Sequence, residues 1–279
     1  DGHEQSQLIA FADQDELLFK PIEAYGIRVG AVIGPTSVIY PQITPAVSWE
    51  RQLPVLIREL EGNVLATFLA RPSDVPKMIE AEQITWDKER AAPPVTIEGR
   101  VKANPEGALV CLDLKTKRLL GFFSAIRITD QELSHPLRWE ECAKKSLLCF
   151  QARNSEKQSP FSLMGVSLTV VSDAPRGTGR LLMESAVRHA SNLVASTLEY
   201  VVRIPNFRSW QQATSGTIHE YIQFLRSGKI TEPTTQIATR SGAIWGNVIP
   251  DYYDDPDSMN YGIHFIHIIS ASSGDGVQA

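Results

Sequence analysis

Hydrophobic residues recur in short runs from Val64 onward, and polar turns separate these runs. β-Branched and leucine-rich runs predict strands at 65–70, 108–114, 119–128, 161–171, 197–204, 244–249 and 261–269. Apolar residues at helical spacing predict helices at 74–85, 139–150, 180–195 and 217–226, and Ser73 and Thr217 are the predicted N-caps of the first and the last. Strands and helices in this order predict an α/β fold.

The first part of the chain follows a different pattern. Two β-branched runs lie on either side of Gly34-Pro35, which predicts a strand, a turn and a second strand. From Trp49 to Leu60, charged residues and leucines at helical spacing predict a helix that ends at Gly62. We interpret residues 1–62 as an N-terminal adaptor segment that packs on a domain at 63–270, and the small polar residues 271–279 as a disordered tail.

Composition and charge narrow the class of protein. Of the 279 residues, 43% are hydrophobic and 21% are charged, as in soluble globular proteins. A net charge of −5 argues against nucleic-acid binding. The polar start and the lack of an apolar run of about 18 residues argue against a signal peptide and a membrane span, so we expect a cytoplasmic protein. Cys111, Cys142 and Cys149 lack metal-ligand spacing, which predicts reduced thiols and no metal site.

A glycine-rich loop connects the predicted strand that ends at Val171 to the helix that follows. Its central residues are Arg176, Gly177, Thr178, Gly179 and Arg180. The first turn of a helix leaves backbone N–H groups free and favours anions, and glycine lets a phosphate come close, so the loop is a candidate pyrophosphate site. On spacing alone, a tight turn that needs glycine for a positive φ is an equally good interpretation. The Gly-Lys-Ser/Thr ending of a nucleoside-triphosphate P-loop is missing.

The order of the elements and the Arg176-Gly-Thr-Gly-Arg180 loop resemble the Gcn5-related N-acetyltransferase (GNAT) superfamily over about 64–269. The resemblance implies the GNAT fold, with a central mixed sheet and flanking helices. The resemblance implies that Val171 and the loop bind coenzyme A or a phosphopantetheine thioester. It also implies that the pantetheine arm lies between two splayed parallel strands, at Leu168–Val171 and Leu198–Arg203. The superfamily usually has Gly or Ala where this chain has Leu181.

A narrower resemblance rests on an ordered series in the C-terminal third. The series is Arg203-Ile-Pro-Asn-Phe-Arg-Ser-Trp210, Glu232-Pro233, Ser241-Gly-Ala243 and Ile249-Pro-Asp-Tyr252. It is similar to the GNAT-like and pseudo-GNAT domains of polyketide synthase loading modules of the curacin and apratoxin type. That resemblance implies decarboxylation of malonyl-type thioesters and transfer of the acyl starter to an acyl carrier protein. It also implies neighbouring synthase domains, such as a methyltransferase, as partners.

The chain departs from this family at its catalytic positions. The family's Phe-His pair is Ile237-Ala238 here, and its Tyr-Arg pair is Tyr252-Tyr253. Val202 stands in place of a family threonine, and the pocket tryptophan of the family corresponds to Trp86. Because alanine can neither accept nor donate a proton, the family mechanism cannot run through position 238.

Three functions therefore stay open. The first is an impaired decarboxylase or acyltransferase, in which Tyr252, Tyr253, Arg203 and Trp86 are the candidate catalytic residues. The second is an inactive pseudo-GNAT that scaffolds a neighbouring methyltransferase. Acetyl-CoA-dependent N-acetylation is a weaker third, because no well-placed base is evident.

Other chemistry-bearing residues have simpler interpretations. His264 and His267 are three residues apart in a strand, so they face opposite sides and cannot share a metal. The acidic loop predicts a solvated turn rather than a calcium site; its residues are Asp251, Asp254, Asp255 and Asp257. A basic run is either a docking site for an acidic carrier protein or a hydrated surface; its residues are Lys144, Lys145, Arg153 and Lys157. Phe207 and Trp210 are candidates to fill the acyl tunnel.

Overall fold

The computed structural model describes residues 53–129, 138–145 and 161–269, together with the backbone of two short strands near the N-terminus. Those two strands, Ala10–Phe11 and Val38–Ile39, pair antiparallel. The second of them lies in the run predicted after Gly34-Pro35. The rest of the predicted adaptor before residue 53, and the predicted tail at 271–279, lie outside the described residues.

One eight-stranded sheet runs through the domain. Its strands are β1 Leu56–Leu60, β2 Asn63–Leu69, β3 Ala108–Asp113, β4 Leu119–Thr129, β5 Phe161–Val170, β6 Thr197–Arg203, β7 Ile244–Ile249 and β8 Gly262–Ile268. The spatial order is β1-β2-β3-β4-β5-β6-β8-β7. β5 and β6 are parallel, and all other neighbours are antiparallel. The mixed sheet and every strand predicted from Val64 onward are confirmed.

The predicted helix from Trp49 to Leu60 is wrong over its last residues. Leu56–Leu60 is an edge strand that pairs with β2 around a tight turn at Glu61 and Gly62. Both turn residues have positive φ, 50° and 76°, as a two-residue hairpin requires. Leucines at both ends of a five-residue segment fit the spacing of a helix and of a strand equally well. Here the hydrogen bonds with β2 stabilise the strand. The sheet therefore begins at Leu56, inside the segment predicted as the adaptor.

Helices cover the sheet and supply the walls of its clefts. They are α1 Val75–Thr85, α2 Pro94–Ala103, α3 Trp139–Lys145, α4 Thr178–Asn192, α5 Phe207–Thr214, α6 Ile218–Arg226 and α7 Pro233–Arg240. Thr217 caps α6 as predicted and forms a reciprocal pair with Glu220. Ser73 does not cap α1; the carboxylate of Asp74 accepts from the Arg71 N–H instead. Across the described ranges, every helix is too short or too polar to traverse a bilayer.

The main core lies where α4 packs across the middle of the sheet. Leu181 and Leu182 of this helix are fully buried. A buried hydrogen bond of 2.8 Å joins the hydroxyls of Ser185 on α4 and Thr67 on β2. Leu181, which stands where the GNAT superfamily usually has Gly or Ala, faces the core.

Candidate functional site

The parallel strands β5 and β6 are paired only near their beginnings. Leu163, Met164 and Gly165 of β5 pair with Leu198, Glu199 and Tyr200 of β6. Beyond these rungs the strands diverge, over Val166–Val170 on β5 and Val201–Arg203 on β6. We call this opening the β5–β6 cleft. It lies at the position predicted for the splayed strands.

A β-bulge in β5 accounts for the divergence. Ala125 pairs with Gly165 and Ser124 with Ser167, so Val166 is an extra residue opposite β4. A bulge bends its strand and increases the local twist, which turns the rest of β5 away from β6. The carbonyls of Val166 and Val170 both bond to side chains outside the sheet. Because backbone groups alternate along a strand, those of Leu168 face the same cleft.

The glycine loop lies at the end of β5, where the cleft opens. Gly177 has a φ of 102°, and α4 begins at the next residue. A Cβ on Gly179 would lie 2.9 Å from Cδ1 of Ile237, so a larger residue there requires the Ile237 side chain to shift. Gly177 supplies the positive φ that the tight turn needs, and the N–H of Thr178 donates to the carbonyl of Pro175 at 3.1 Å. The pyrophosphate site at this loop stays a prediction.

A carboxylate already accepts a hydrogen bond from this loop. The N–H of Arg176 donates to Glu61 Oε2 at 3.2 Å, from the β1–β2 turn. An amide that points outward and binds an anionic oxygen is what a pyrophosphate site requires. The loop residues thus fit the phosphate end of coenzyme A.

Three other residues that were predicted to bind the cofactor already form hydrogen bonds within the chain. Arg180 Nε donates to Glu184 at 2.6 Å, and the same carboxylate binds Arg58 at 2.7 Å. The Val171 N–H donates to the carbonyl of Leu120 at 3.0 Å, so the strand ladder uses it. Thr178 is buried, and its hydroxyl donates to the carbonyl of Pro175 at 2.7 Å. Arg176 remains exposed beside the loop.

Trp86 lies on the wall of the cleft formed by α1. Its indole N–H donates to the hydroxyl of Thr169 at 3.1 Å, and Thr169 donates to Glu82 at 2.6 Å. The other oxygen of Glu82 accepts from the Ala92 N–H at 2.9 Å. This buried chain fixes the orientation of the indole relative to β5.

Arg203, at the end of β6, faces Trp86 from the other side. Its guanidinium lies 5.6 Å from the centre of the indole ring. Nε and Nη2 form a bidentate pair with Asp255, at 2.7 and 2.6 Å. Burial alone would raise the pKa of the Asp255 carboxyl, but hydrogen bonds from Arg203 and Ser258 hold it below its usual value. Among the described residues, Nη1 of Arg203 has no hydrogen-bond partner.

Asp255 corrects the prediction of a solvated acidic turn. This carboxylate is buried and binds Arg203, whereas Asp251 and Asp254 are exposed. The bidentate pair with Arg203 offsets part of the cost of removing the Asp255 charge from water. Within the described ranges, no three His, Cys, Asp or Glu side chains are grouped as a metal site needs.

Two aromatic side chains donate to main-chain carbonyls at the closed end of the cleft. Trp139 Nε1 donates to the carbonyl of Val166 at 3.2 Å. The hydroxyl of Tyr253 donates to the carbonyl of Val201 on the facing strand. The pKa of Tyr253 is raised by burial, although Arg203 opposes the shift. Tyr252, in contrast, is buried with its hydroxyl directed at Cys142 Sγ, 3.9 Å away.

Position 238, where the family has its histidine, lies within α7. Ala238 is completely buried and offers no titratable group. Next to the end of α7 lies His267 of β8. Its Nε2 is 3.5 Å from Oγ of Ser241, which follows α7, and 3.1 Å from the hydroxyl of Tyr200. His264 bonds Glu199 at 2.8 Å on the opposite face, so the prediction that the two histidines cannot share a metal is confirmed.

The structure thus brings Trp86, Arg203 and Tyr253 to one cleft, whereas Tyr252 packs behind Tyr253 with its hydroxyl directed at Cys142. Phe207 and Trp210 stack on Tyr221 of α6, in a cluster of their own. Cys111 and Cys142 are buried, while Cys149, Arg153 and Lys157 lie outside the described residues. Burial, and then the charge of Asp113, raises the pKa of Cys111 to about 12.

Sequence reasoning missed Thr169, Glu82 and Trp139 as parts of the cleft. A threonine in an apolar strand and a glutamate on the apolar face of a helix were the available signals for the first two. Trp139 offered no signal, because its position depends on how α3 packs against β5.

Comparison with known proteins identifies the architecture. No protein-family model and no curated protein sequence matches the chain. Among solved structures, the GphF GNAT-like decarboxylase in complex with isobutyryl-CoA is similar, with a TM-score of 0.61 and 23% identity over 73% of this chain and 99% of that one. The loading GNATL domain of CurA from Lyngbya majuscula is also similar, with a TM-score of 0.59 and 18% identity over 74% and 98%. The chain therefore has the fold of the GNAT superfamily, as in these two GNAT-like domains.

Proposed function

We propose that this chain binds the pantetheine arm of an acyl thioester in the β5–β6 cleft, with coenzyme A or an acyl carrier protein as the carrier. This proposal rests on one observation: β5 and β6 separate at the Val166 bulge, and the opening between them leads to the glycine loop. An open strand edge offers N–H and C=O groups to an extended amide-containing chain, in the same way as strand addition. The similar GphF domain is a complex with isobutyryl-CoA, which supports the same class of ligand.

The reaction that we propose is decarboxylation of a malonyl-type thioester in a polyketide synthase loading module. Where coenzyme A carries the substrate, acyl transfer follows: the phosphopantetheine thiol of the carrier protein attacks the acyl carbonyl, a new thioester forms, and the thiol of coenzyme A leaves. In the decarboxylation step, the bond between the carboxylate carbon and the α-carbon breaks, and carbon dioxide leaves. The electron pair passes to the α-carbon and the thioester oxygen as an enolate, and a proton from water then reaches the α-carbon. Stabilisation of the enolate oxygen is the main catalytic requirement.

Two side chains of the cleft are candidates to stabilise the enolate oxygen. Arg203 is fixed by Asp255, no described residue bonds its Nη1, and the Trp86 ring lies 5.6 Å from its guanidinium. A cation in a dry cleft stabilises a developing oxyanion more than it does in water. Ala238 supplies no acid to protonate the enolate, so we expect slow decarboxylation.

The second candidate is an inactive scaffold beside a catalytic domain such as a methyltransferase. Its support is the state of the candidate donors. Position 238 is a buried alanine, and the hydroxyl of Tyr253 is occupied by a main-chain carbonyl. In this case the cleft would hold a thioester without turning it over, or hold none.

Intact-mass analysis separates the two candidates. Carrier protein loaded with malonyl or methylmalonyl groups is incubated with the chain and, in parallel, without it. Loss of the mass of carbon dioxide above the protein-free rate supports the decarboxylase. Unchanged mass for both substrates, together with binding of the carrier, supports the scaffold. We propose that the basic run that includes exposed Lys144 docks the acidic carrier protein, so Lys144→Glu should weaken that binding.

A further inference from the structure

The closed end of the β5–β6 cleft is filled by aromatic side chains from two separate segments. Trp139 comes from the start of α3, and Tyr253 comes from the loop between β7 and β8. Their ring centres are 6.4 Å apart. The backbone N–H of Trp139 donates to the carbonyl of Tyr252 at 3.1 Å, so the two segments are also tied through the main chain.

Both rings act at the first rung beyond the last paired residues. Val166 follows Gly165 on β5, and Val201 follows Tyr200 on β6. Their carbonyls would be unpaired where the strands part, and a buried unpaired carbonyl is costly. Trp139 satisfies the first and Tyr253 satisfies the second. The pair therefore holds the two strand ends apart and occupies the space between them.

Tyr252 supports the ring of Tyr253 on the side away from the cleft. The two rings make an edge-to-face contact, with centres 4.6 Å apart and planes at 85°. Tyr252 is buried against Cys142 of α3. Because the supporting ring cannot retreat, the aromatic pair is a fixed wall and does not move aside at low cost.

The open edge on β5 runs from Val166 to Val170, which is roughly 13 Å at about 3.3 Å per residue. An arm that enters from the glycine loop and follows this edge brings its thioester end to the rung of Val166. We infer that Trp139 and Tyr253 set the size of the acyl group, and that the site accepts thioesters of short, unbranched acyl groups. This inference rests on the proposed function, because it assumes that the arm lies in the cleft.

Isothermal titration with coenzyme A, acetyl-CoA, propionyl-CoA and isobutyryl-CoA tests the inference. The unchanged chain should bind acetyl-CoA about as well as coenzyme A, and isobutyryl-CoA roughly tenfold or more weakly, since a closed pocket excludes extra methyl groups. Tyr253→Ala should bring the affinities for acetyl-CoA and isobutyryl-CoA to within about threefold of each other. Tyr253→Phe keeps the ring and should keep the discrimination.

Trp210→Ala is the matched control, because it removes a large aromatic ring that packs on Tyr221, away from the cleft. It should discriminate as the unchanged chain does. If Tyr253→Ala does not give a cooperative urea transition, Trp139→Leu removes the other half of the wall and carries the same expectation.

The outcomes separate this inference from the proposed function. Equal binding of all the thioesters by the unchanged chain, or discrimination that survives in a folded Tyr253→Ala or Trp139→Leu variant, overturns the inference and leaves the function standing. A chain that binds neither coenzyme A nor any of its thioesters, in any variant, contradicts the proposed function and the inference with it.

Discussion

The buried imidazole of His267 makes the stability of the domain depend on pH. Only 4% of this residue is exposed, between Tyr200 and Ser241, which lies at the end of α7. Burial lowers the pKa of His267 from the ordinary value of 6.5 to about 4. The pKa of the Tyr200 hydroxyl is raised by burial, so that neighbour stays neutral over the same range.

The sign follows from which state binds the proton. Between pH 6.5 and about 4, the unfolded chain protonates this histidine while the folded chain does not. The stability that His267 contributes is therefore fully present above pH 6.5 and is lost as the pH falls toward 4. At about 1.4 kcal/mol for each pKa unit, the loss is at most about 3 kcal/mol.

Urea unfolding from pH 7.5 to 4.5 measures this effect. His267→Gln removes the titrating group, and His219→Gln is the matched control on an exposed histidine. The difference in unfolding free energy between the unchanged chain and His267→Gln should shrink by about 2–3 kcal/mol as the pH falls. A difference that does not change with pH would refute a buried neutral imidazole. Other buried groups, such as His189, cancel because they are present in both proteins.

Three further substitutions follow from the site. Asp255→Asn leaves its arginine partner half-satisfied and should lower the unfolding free energy by about 3 kcal/mol, whereas exposed Asp254→Asn should change it by less than about 0.5 kcal/mol in the same urea titration. Glu61→Gln removes the carboxylate that bonds the glycine loop and should tighten coenzyme A binding by roughly two- to fivefold, whereas Glu59→Gln, on the same hairpin, should leave that affinity unchanged. If calorimetry finds the same change in affinity for both variants, the anion site is contradicted. Ala238→His places a larger polar group in a fully packed position and should cost about 2–4 kcal/mol without faster decarboxylation; a stable variant with a faster rate would show an open site at position 238.

Much of the sheet could be predicted from local pattern. β-Branched runs such as 108–113 and 119–129 carry their own strand signal, and Thr217 with Glu220 marks the start of α6. β1 could not be predicted, since five residues with leucines at both ends fit a strand and a helix equally. α2, α5 and α7 were missed because each is short, and α2 and α7 also begin at proline.

The cleft was predictable as a pair of strands and a loop, but its chemistry was not. Arg203 and Asp255 are 52 residues apart, and Trp139 and Val166 are 27 apart. Such contacts depend on how β6, α3 and the loop before β8 pack together. The local spacing of hydrophobic residues gives no information about that packing. The acidic loop illustrates the difference, because only Asp255 is drawn into the site while Asp254 stays in water.

Hydrogen–deuterium exchange during titration with coenzyme A tests the central claim most directly. The account predicts slower amide exchange in peptides that cover 166–171, 176–180 and 201–204, with peptides on β7 unchanged. Those three segments are the open edge of β5, the glycine loop and the facing edge of β6. Unchanged exchange in all three at saturating coenzyme A, or protection confined to other parts of the chain, would contradict a pantetheine site between β5 and β6.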